Sequence, residues 1–249
     1  MAKGTILRAR RVQIAAFGLI RQRDVSAWQL LYVSSDLRGN PEATVTTVLT
    51  AKNATPDPNR PLIAFQCAID AVADQCFPSY ALRHGARSFG ANPHFEYFMI
   101  ACLLQRGWAV SVADHEGLDG RFGAPREPGY RGLDGVRAAL DFAPLGLDAT
   151  TRVAIWGYSG GGMAGAWMAE MAATYAGLVA TGDTLITGHP VSRMSGPQVL
   201  PDDFSCSRDE NLATLELLED LDADLIIPGH GEPWCGPIRK AVLAARRNA

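Results

Sequence analysis

The 249-residue sequence has no His-x-His triplet and no Cys-x-x-Cys pair among its five histidines and five cysteines. The second absence removes zinc-finger spacing, and no metal and no cofactor are expected. No apolar run approaches the about 18 residues that a membrane span needs, so no spanning segment is expected. Charge of one sign is also scarce: the net charge is −3 and the pI about 5.9. Such a chain has no positive field for nucleic acid or anionic lipid, and a small neutral substrate suits it better.

The cysteines, Cys67, Cys76, Cys102, Cys206 and Cys235, form an odd set. Cys67 and Cys76 lie close enough in sequence to bridge across a loop, or remain buried thiols. Arg8, Arg10 and Arg11 precede the apolar residues 14–20, in the outline of a signal peptide. That stretch runs into Arg21-Gln22-Arg23-Asp24 instead of a small-residue cleavage site, so it is read as a strand and not as a signal peptide.

What is present suits a packed domain: 47% of residues are hydrophobic and 20% charged. Residues 28–33 and 44–49 are β-branched and aromatic runs separated by Arg38-Gly39-Asn40-Pro41, which predicts an antiparallel hairpin. Residues 62–65 and 108–113 read as buried strands, with a helix over 95–105 between them that ends at Gly107. A second helix is predicted over 133–142, with Asp134 near its start, where the helix dipole favours an acid. A strand over 153–156 and a helix over 163–173 follow. Apolar strands alternating with helices predict an α/β fold whose mostly parallel sheet is covered on both faces.

After about Tyr175 the texture changes. Strands over 178–183 and 224–230, a helix over 209–221 and a basic helix over 237–247 predict a small αβ C-terminal segment, dividing the chain into 1–176 and 177–249. In the last helix Arg239, Lys240, Arg246 and Arg247 read as a solvated face. Met163, Trp167, Met168 and Met171 read as packing residues of the 163–173 helix, with an acyl-pocket lining as the other use for some of them.

The most specific motif is Gly157-Tyr158-Ser159-Gly160-Gly161, placed where the 153–156 strand turns into the 163–173 helix. A Gly-x-Ser-x-Gly in that context is the nucleophile elbow of an α/β-hydrolase, whose sharp turn tolerates only small neighbours and projects the hydroxyl from the sheet. The other use of such a turn is an idle serine with an anion on the helix N-terminus. A serine hydroxyl is inert alone and needs a histidine to take its proton and a third group to orient that histidine.

Several stretches are shared with a known family. Ala27-Trp28-Gln29-Leu30-Leu31-Tyr32-Val33-Ser34-Ser35-Asp36, Ile63-Ala64-Phe65-Gln66-Cys67-Ala68-Ile69-Asp70, Phe77-Pro78-Ser79, Val112-Ala113-Asp114-His115-Glu116-Gly117 and Leu133-Asp134-Gly135-Val136-Arg137-Ala138-Ala139-Leu140 join the elbow in this pattern. With them, residues from about 4 to 175 resemble the secretory triacylglycerol lipases of actinobacteria and fungi. The resemblance implies an α/β-hydrolase fold, an acyl ester such as a triacylglycerol as substrate, and Ser159 as nucleophile. It also implies an oxyanion site built from Asp70 and the backbone N–H of Gly160. Donors aimed at the developing oxyanion stabilise it by about 3 to 4 kcal/mol each; a loop-capping carboxylate is the other use of an aspartate at position 70. The lipases resembled are secreted.

That family continues past the elbow helix through a lid and the strands bearing its triad acid and base, a pattern not found here, where 249 − 159 = 90 residues follow Ser159. Residues 177–249 instead resemble the C-terminal portion of the metallo-β-lactamase superfamily, through Thr181-Gly182-Asp183-Thr184-Leu185-Ile186-Thr187-Gly188-His189 and Ile227-Pro228-Gly229-His230-Gly231-Glu232-Pro233. There the positions of Asp183 and His230 are metal ligands, but two ligands do not make a catalytic zinc site. The expected architecture is therefore a truncated α/β-hydrolase-like sheet joined to a small αβ segment of other origin. Ser159, Asp183 and His230 stand in the chain order of a hydrolase triad, Ser then Asp then His. His230 is thus the candidate base and Asp183 its acid, with His189 and His115 as the remaining histidines considered and a merely hydrogen-bonded His230 as the plainer use. A catalytically inactive fusion and a metal-binding hydrolase are the alternatives to an ester hydrolase.

Overall fold

The computed structural model describes residues 2–176, 178–204, 207–221 and 223–248. The first part of the chain runs through β1 (Ile6–Val12), β2 (Ala15–Ala16), β3 (Ile20–Arg21), β4 (Val25–Ser35), β5 (Pro41–Ala51) and β6 (Leu62–Gln66). It continues with α1 (Pro78–Ala81), α2 (Asn92–Gln105), β7 (Ala109–Ala113), α3 (Glu127–Leu140), β8 (Val153–Gly157) and α4 (Gly160–Ala176). Two compact units result, Met1–Met168 and Ala169–Ala249, divided inside α4, whereas the sequence places its boundary after residue 176.

The main sheet of the first unit has the order β1-β4-β5-β7-β6-β8. β6 pairs in parallel with β7 and β8, while β5 lies antiparallel to both β4 and β7 and β1 antiparallel to β4. Four strands thus point one way and two the other, the mostly parallel sheet of an α/β fold. Side-chain alternation assigns the faces. Leu49, Ile63, Phe65, Val110 and Val112 pack in one cluster with Tyr97, Ile100 and Leu104 of α2. On the opposite face Thr46 and Ser111 share a 2.8 Å hydrogen bond, and Gly135 of α3 closes on Tyr32 and Thr46. Each large side chain buried this way contributes about 1.5–3 kcal/mol.

Two sequence expectations are corrected here. Residues 14–20 do not form one continuous strand. They form the β2–β3 hairpin, turned by Phe17 at φ +52° and Gly18 at φ +70°. The helix expected over 133–142 begins six residues earlier, at Glu127, with Pro128 in its first turn. Asp134 therefore does not serve the helix dipole: it is buried mid-helix, accepting from Ser34 Oγ and Arg137 Nη1, each at 2.8 Å. The first-turn acid is Glu127.

The second unit holds β9 (Leu178–Gly182), α5 (Arg208–Glu219), β10 (Leu225–Pro228), β11 (Trp234–Cys235) and α6 (Ile238–Arg247). Its sheet has the order β11-β10-β9, parallel between β9 and β10. The core is Leu185, Leu215, Ile226, Ile238 and Val242 with their neighbours. Ser207 caps α5, its Oγ accepting from Glu210 N–H. The cations of α6 are exposed, and Arg246 reaches Glu216 and Glu219 at 3.4 and 3.3 Å.

Cys67, Cys76, Cys102 and Cys235 are free thiols, and Cys206 lies outside the described residues. Among the described residues no helix is long and apolar enough to cross a membrane.

Candidate active site

β8 ends at Gly157 and α4 begins at Gly160, leaving two residues to reverse the chain. Ser159 takes φ +51°, a left-handed conformation that a side chain rarely adopts, and its carbonyl accepts the first helical bond from Met163 N–H at 3.0 Å. A Cβ on Gly157 would fall on the carbonyl of Gly161, and one on Gly161 would fall on the carbonyl of Gln66. Glycine at both positions is thus a steric requirement of the turn, and the turn leaves Ser159 exposed.

Asp70 follows β6, the strand beside β8, and also has a positive φ, +47°. Its Oδ2 lies 3.4 Å from Ser159 Oγ, and its carboxyl occupies the space that a side chain on Gly160 would need. Ser159, Gly160 and Asp70, separated by 89 residues between the serine and the aspartate, meet at the N-terminus of α4. The helix end adds its positive dipole to that spot.

Two carboxyl groups that the sequence reading did not name as site residues, Glu96 and Glu116, face Asp70. Glu96 is fully buried, and burial holds its carboxyl above the usual range, with the charge of Asp70 adding to the shift. Burial pushes Glu116 up to about 7, the charge of Asp70 adding to the shift and the Asp70 N–H pulling it back, and burial pushes Asp114 up to about 7 while Ser79 pulls it back. The signal was available: Asp114-His115-Glu116 is a polar triplet ending an apolar strand. His115 is 1% exposed, and burial together with Arg131 lowers its ring to about 3, so it is neutral.

The other two candidates come together in the second unit. His230 Nδ1 stands 2.9 Å from Asp183 Oδ1, both side chains exposed, and the ring of His189 lies 4.9 Å from that of His230 and 4.7 Å from Phe204. A carboxylate at Nδ1 fixes the ring and leaves Nε2 outward. Among the described residues no group of three or more His, Cys, Asp or Glu side chains is placed to hold a metal ion. In α4, Met168 is fully buried against Gly132, while Met163, Trp167 and Met171 are half-buried.

Residues 82–190 match the secretory lipase family. A probable inactive lipase of Mycobacterium tuberculosis is 49% identical over 199 residues, 78% of this chain and 44% of its own length. A secreted triacylglycerol lipase of Malassezia furfur is 39% identical over 178 residues, 70% of this chain and 37% of its own. Lipase A of Candida antarctica in its closed state superposes with a TM-score of 0.62 at 29% identity, over 73% of this chain and 42% of that one. The chain spans less than half the length of these relatives.

Proposed function

Starting from a first unit that is lipase-like in both sequence and fold, we propose that the chain carries the nucleophile half of an acyl-ester hydrolase, acting on triacylglycerol-like esters. Ser159 is the nucleophile, and Gly160 N–H with Asp70 is the oxyanion site. The observation that supports this best is the strained Ser159 at φ +51° with its Oγ 3.4 Å from Asp70 Oδ2, above the N-terminus of α4. In acyl transfer the serine oxygen forms a bond to the ester carbonyl carbon while its proton passes to a base. The carbonyl oxygen takes up the negative charge and needs donors. Gly160 supplies a backbone N–H. Asp70 belongs to the site by resemblance; its carboxyl lies beside Ser159 Oγ, while its N–H bonds the Glu116 carboxyl.

The candidate base is His230, held by Asp183 within the second unit. A fluorophosphonate probe tests the nucleophile directly: folded protein is expected to be labelled at Ser159 and the Ser159→Ala variant not at all. A folded wild type that stays unlabelled would sink the reading. The base is tested separately with a chromogenic short-chain ester, where turnover unchanged by His230→Ala dismisses His230. The 49% identity to a protein described as a probable inactive lipase favours a second reading, a lipase-like chain without turnover. That reading is met by labelling at Ser159 without ester turnover, or by no labelling. The metal-binding reading is tested by zinc retained after dialysis, lost in Asp183→Ala.

A further inference from the structure

Asp70 reaches Ser159 from a tight loop whose geometry is imposed from outside it. The loop leaves β6 at Cys67, whose carbonyl accepts from Ile69 N–H at 2.9 Å, and carries Asp70 in a left-handed conformation. Its middle residue, Ala68, is 1% exposed, so both its backbone polar groups need partners. Both partners come from the start of α2. Asn92 Nδ2 donates to the Ala68 carbonyl at 2.5 Å, and Glu96 Oε1 accepts from the Ala68 N–H at 3.0 Å. Residues four apart stand on one helix face, so a single rigid element grips Ala68 on both sides.

The second oxygen of Glu96, Oε2, is buried without a hydrogen-bond partner among the described residues. Burial in that setting raises the carboxyl above its usual range, because its ionised form would leave charge on an unpaired buried oxygen. Cys67 and Asp70 face it from the loop and Tyr158 from the elbow turn, and none of them supplies a positive charge.

We infer that Asn92 and Glu96 are positioning residues of the oxyanion site: they fix Ala68 and thereby hold the Asp70 carboxyl against Ser159 and Gly160. The inference rests on the reading of Asp70 as part of that site. Without the grip, Ala68 keeps a buried unsatisfied N–H or carbonyl, and the loop escapes by rotating Asp70 out of its left-handed conformation.

The test uses the full chain and the variants Asn92→Ala, Glu96→Leu and Glu96→Gln, with two readouts: the rate of fluorophosphonate labelling and hydrogen exchange of the peptide covering 66–72. Asn92→Ala and Glu96→Leu are expected to slow labelling by about 10²-fold, the cost of a displacement on the order of 1 Å, and to speed exchange of 66–72 while the body of α2 stays protected. Glu96→Gln keeps the oxygen that accepts from Ala68, so it is expected to label and exchange like wild type. Wild-type labelling and exchange in Asn92→Ala and Glu96→Leu would overturn the inference, as would a Glu96→Gln variant as slow to label as Glu96→Leu. Should Glu96→Leu fail to fold, Asn92→Ala and Glu96→Gln carry the test. Should folded wild type not label at all, the nucleophile reading fails by itself and the exchange of 66–72 decides the bracket.

Discussion

At the scale of single residues, the first unit spends its interior on polar groups that shift one another. Arg131 is 1% exposed, pairs with Glu127 at 3.0 Å and with Glu42, and donates to the carbonyl of His115 at 3.1 Å. A buried cation with several partners fixes geometry more than it adds stability. Its neighbours Asp114 and His115 answer to pH in opposite senses. Asp114 moves from an ordinary 3.8 to about 7, so its neutral form belongs to the fold; the stability this confers is full below pH 3.8 and lost as pH rises through about 7. His115 moves from 6.5 down to about 3, so its contribution is full above 6.5 and lost as pH falls toward 3. Asp114→Asn keeps an oxygen for Ser79 N–H and removes the first titration only. The unfolding free energy of the variant minus that of wild type, from urea titrations, is therefore expected to rise steadily from about pH 4 to about pH 7. A difference that stays flat across that window would show that Asp114 does not titrate there.

At the scale of elements, the helix ends are where sequence and structure agree or part. α2 finishes as the glycine foretold: Gly107 sits at φ +78°, its N–H bonds Leu104 O at 2.9 Å, and Trp108 N–H bonds Leu103 O at 3.3 Å. This is a Schellman closure. A Cβ on Gly107 would meet nothing within 4 Å, so Gly107→Ala costs only its backbone conformation, about 1 kcal/mol in urea unfolding. A loss well above that would place a contact at Gly107 that this structure does not contain. The hairpin β4–β5, the strands β6, β7 and β8 and the elbow were legible because each is a concentrated apolar run bounded by turn residues. α3 was read six residues short because Pro128, Gly129 and Gly132 fill its first turns, where tertiary packing outweighs weak propensity. β1 was missed because Arg8, Arg10 and Arg11 hide the alternation of an edge strand. In the site, Ser159, Gly160 and Asp70 were named from motif and resemblance. Asn92, Glu96 and Glu116 were not, because their roles are made by packing between distant segments and no spacing encodes them.

At the scale of the whole molecule, two cores of unequal size share one chain. The first gathers the sheet with α2 and α3, while the second depends on a three-stranded sheet with α5 and α6. Two cores imply two unfolding transitions, the second unit opening first because less apolar surface is buried there. Of the five tryptophans only Trp234 lies in the second unit. Trp234→Phe is therefore expected to silence the early transition in fluorescence while circular dichroism still records it. A single transition common to both probes would show that the units unfold as one. The strand order carries a further meaning. Among the described residues β8 is the edge of the six-stranded sheet, paired with β6 alone, and it is also the last of the six to be synthesised. The second unit, Ala169–Ala249, adds 249 − 168 = 81 residues after the first, about 4 to 16 s of synthesis at common elongation rates. Mixed and β-rich domains fold in milliseconds to seconds. The sheet that presents the serine thus has time to close during translation, while the second unit is still being made.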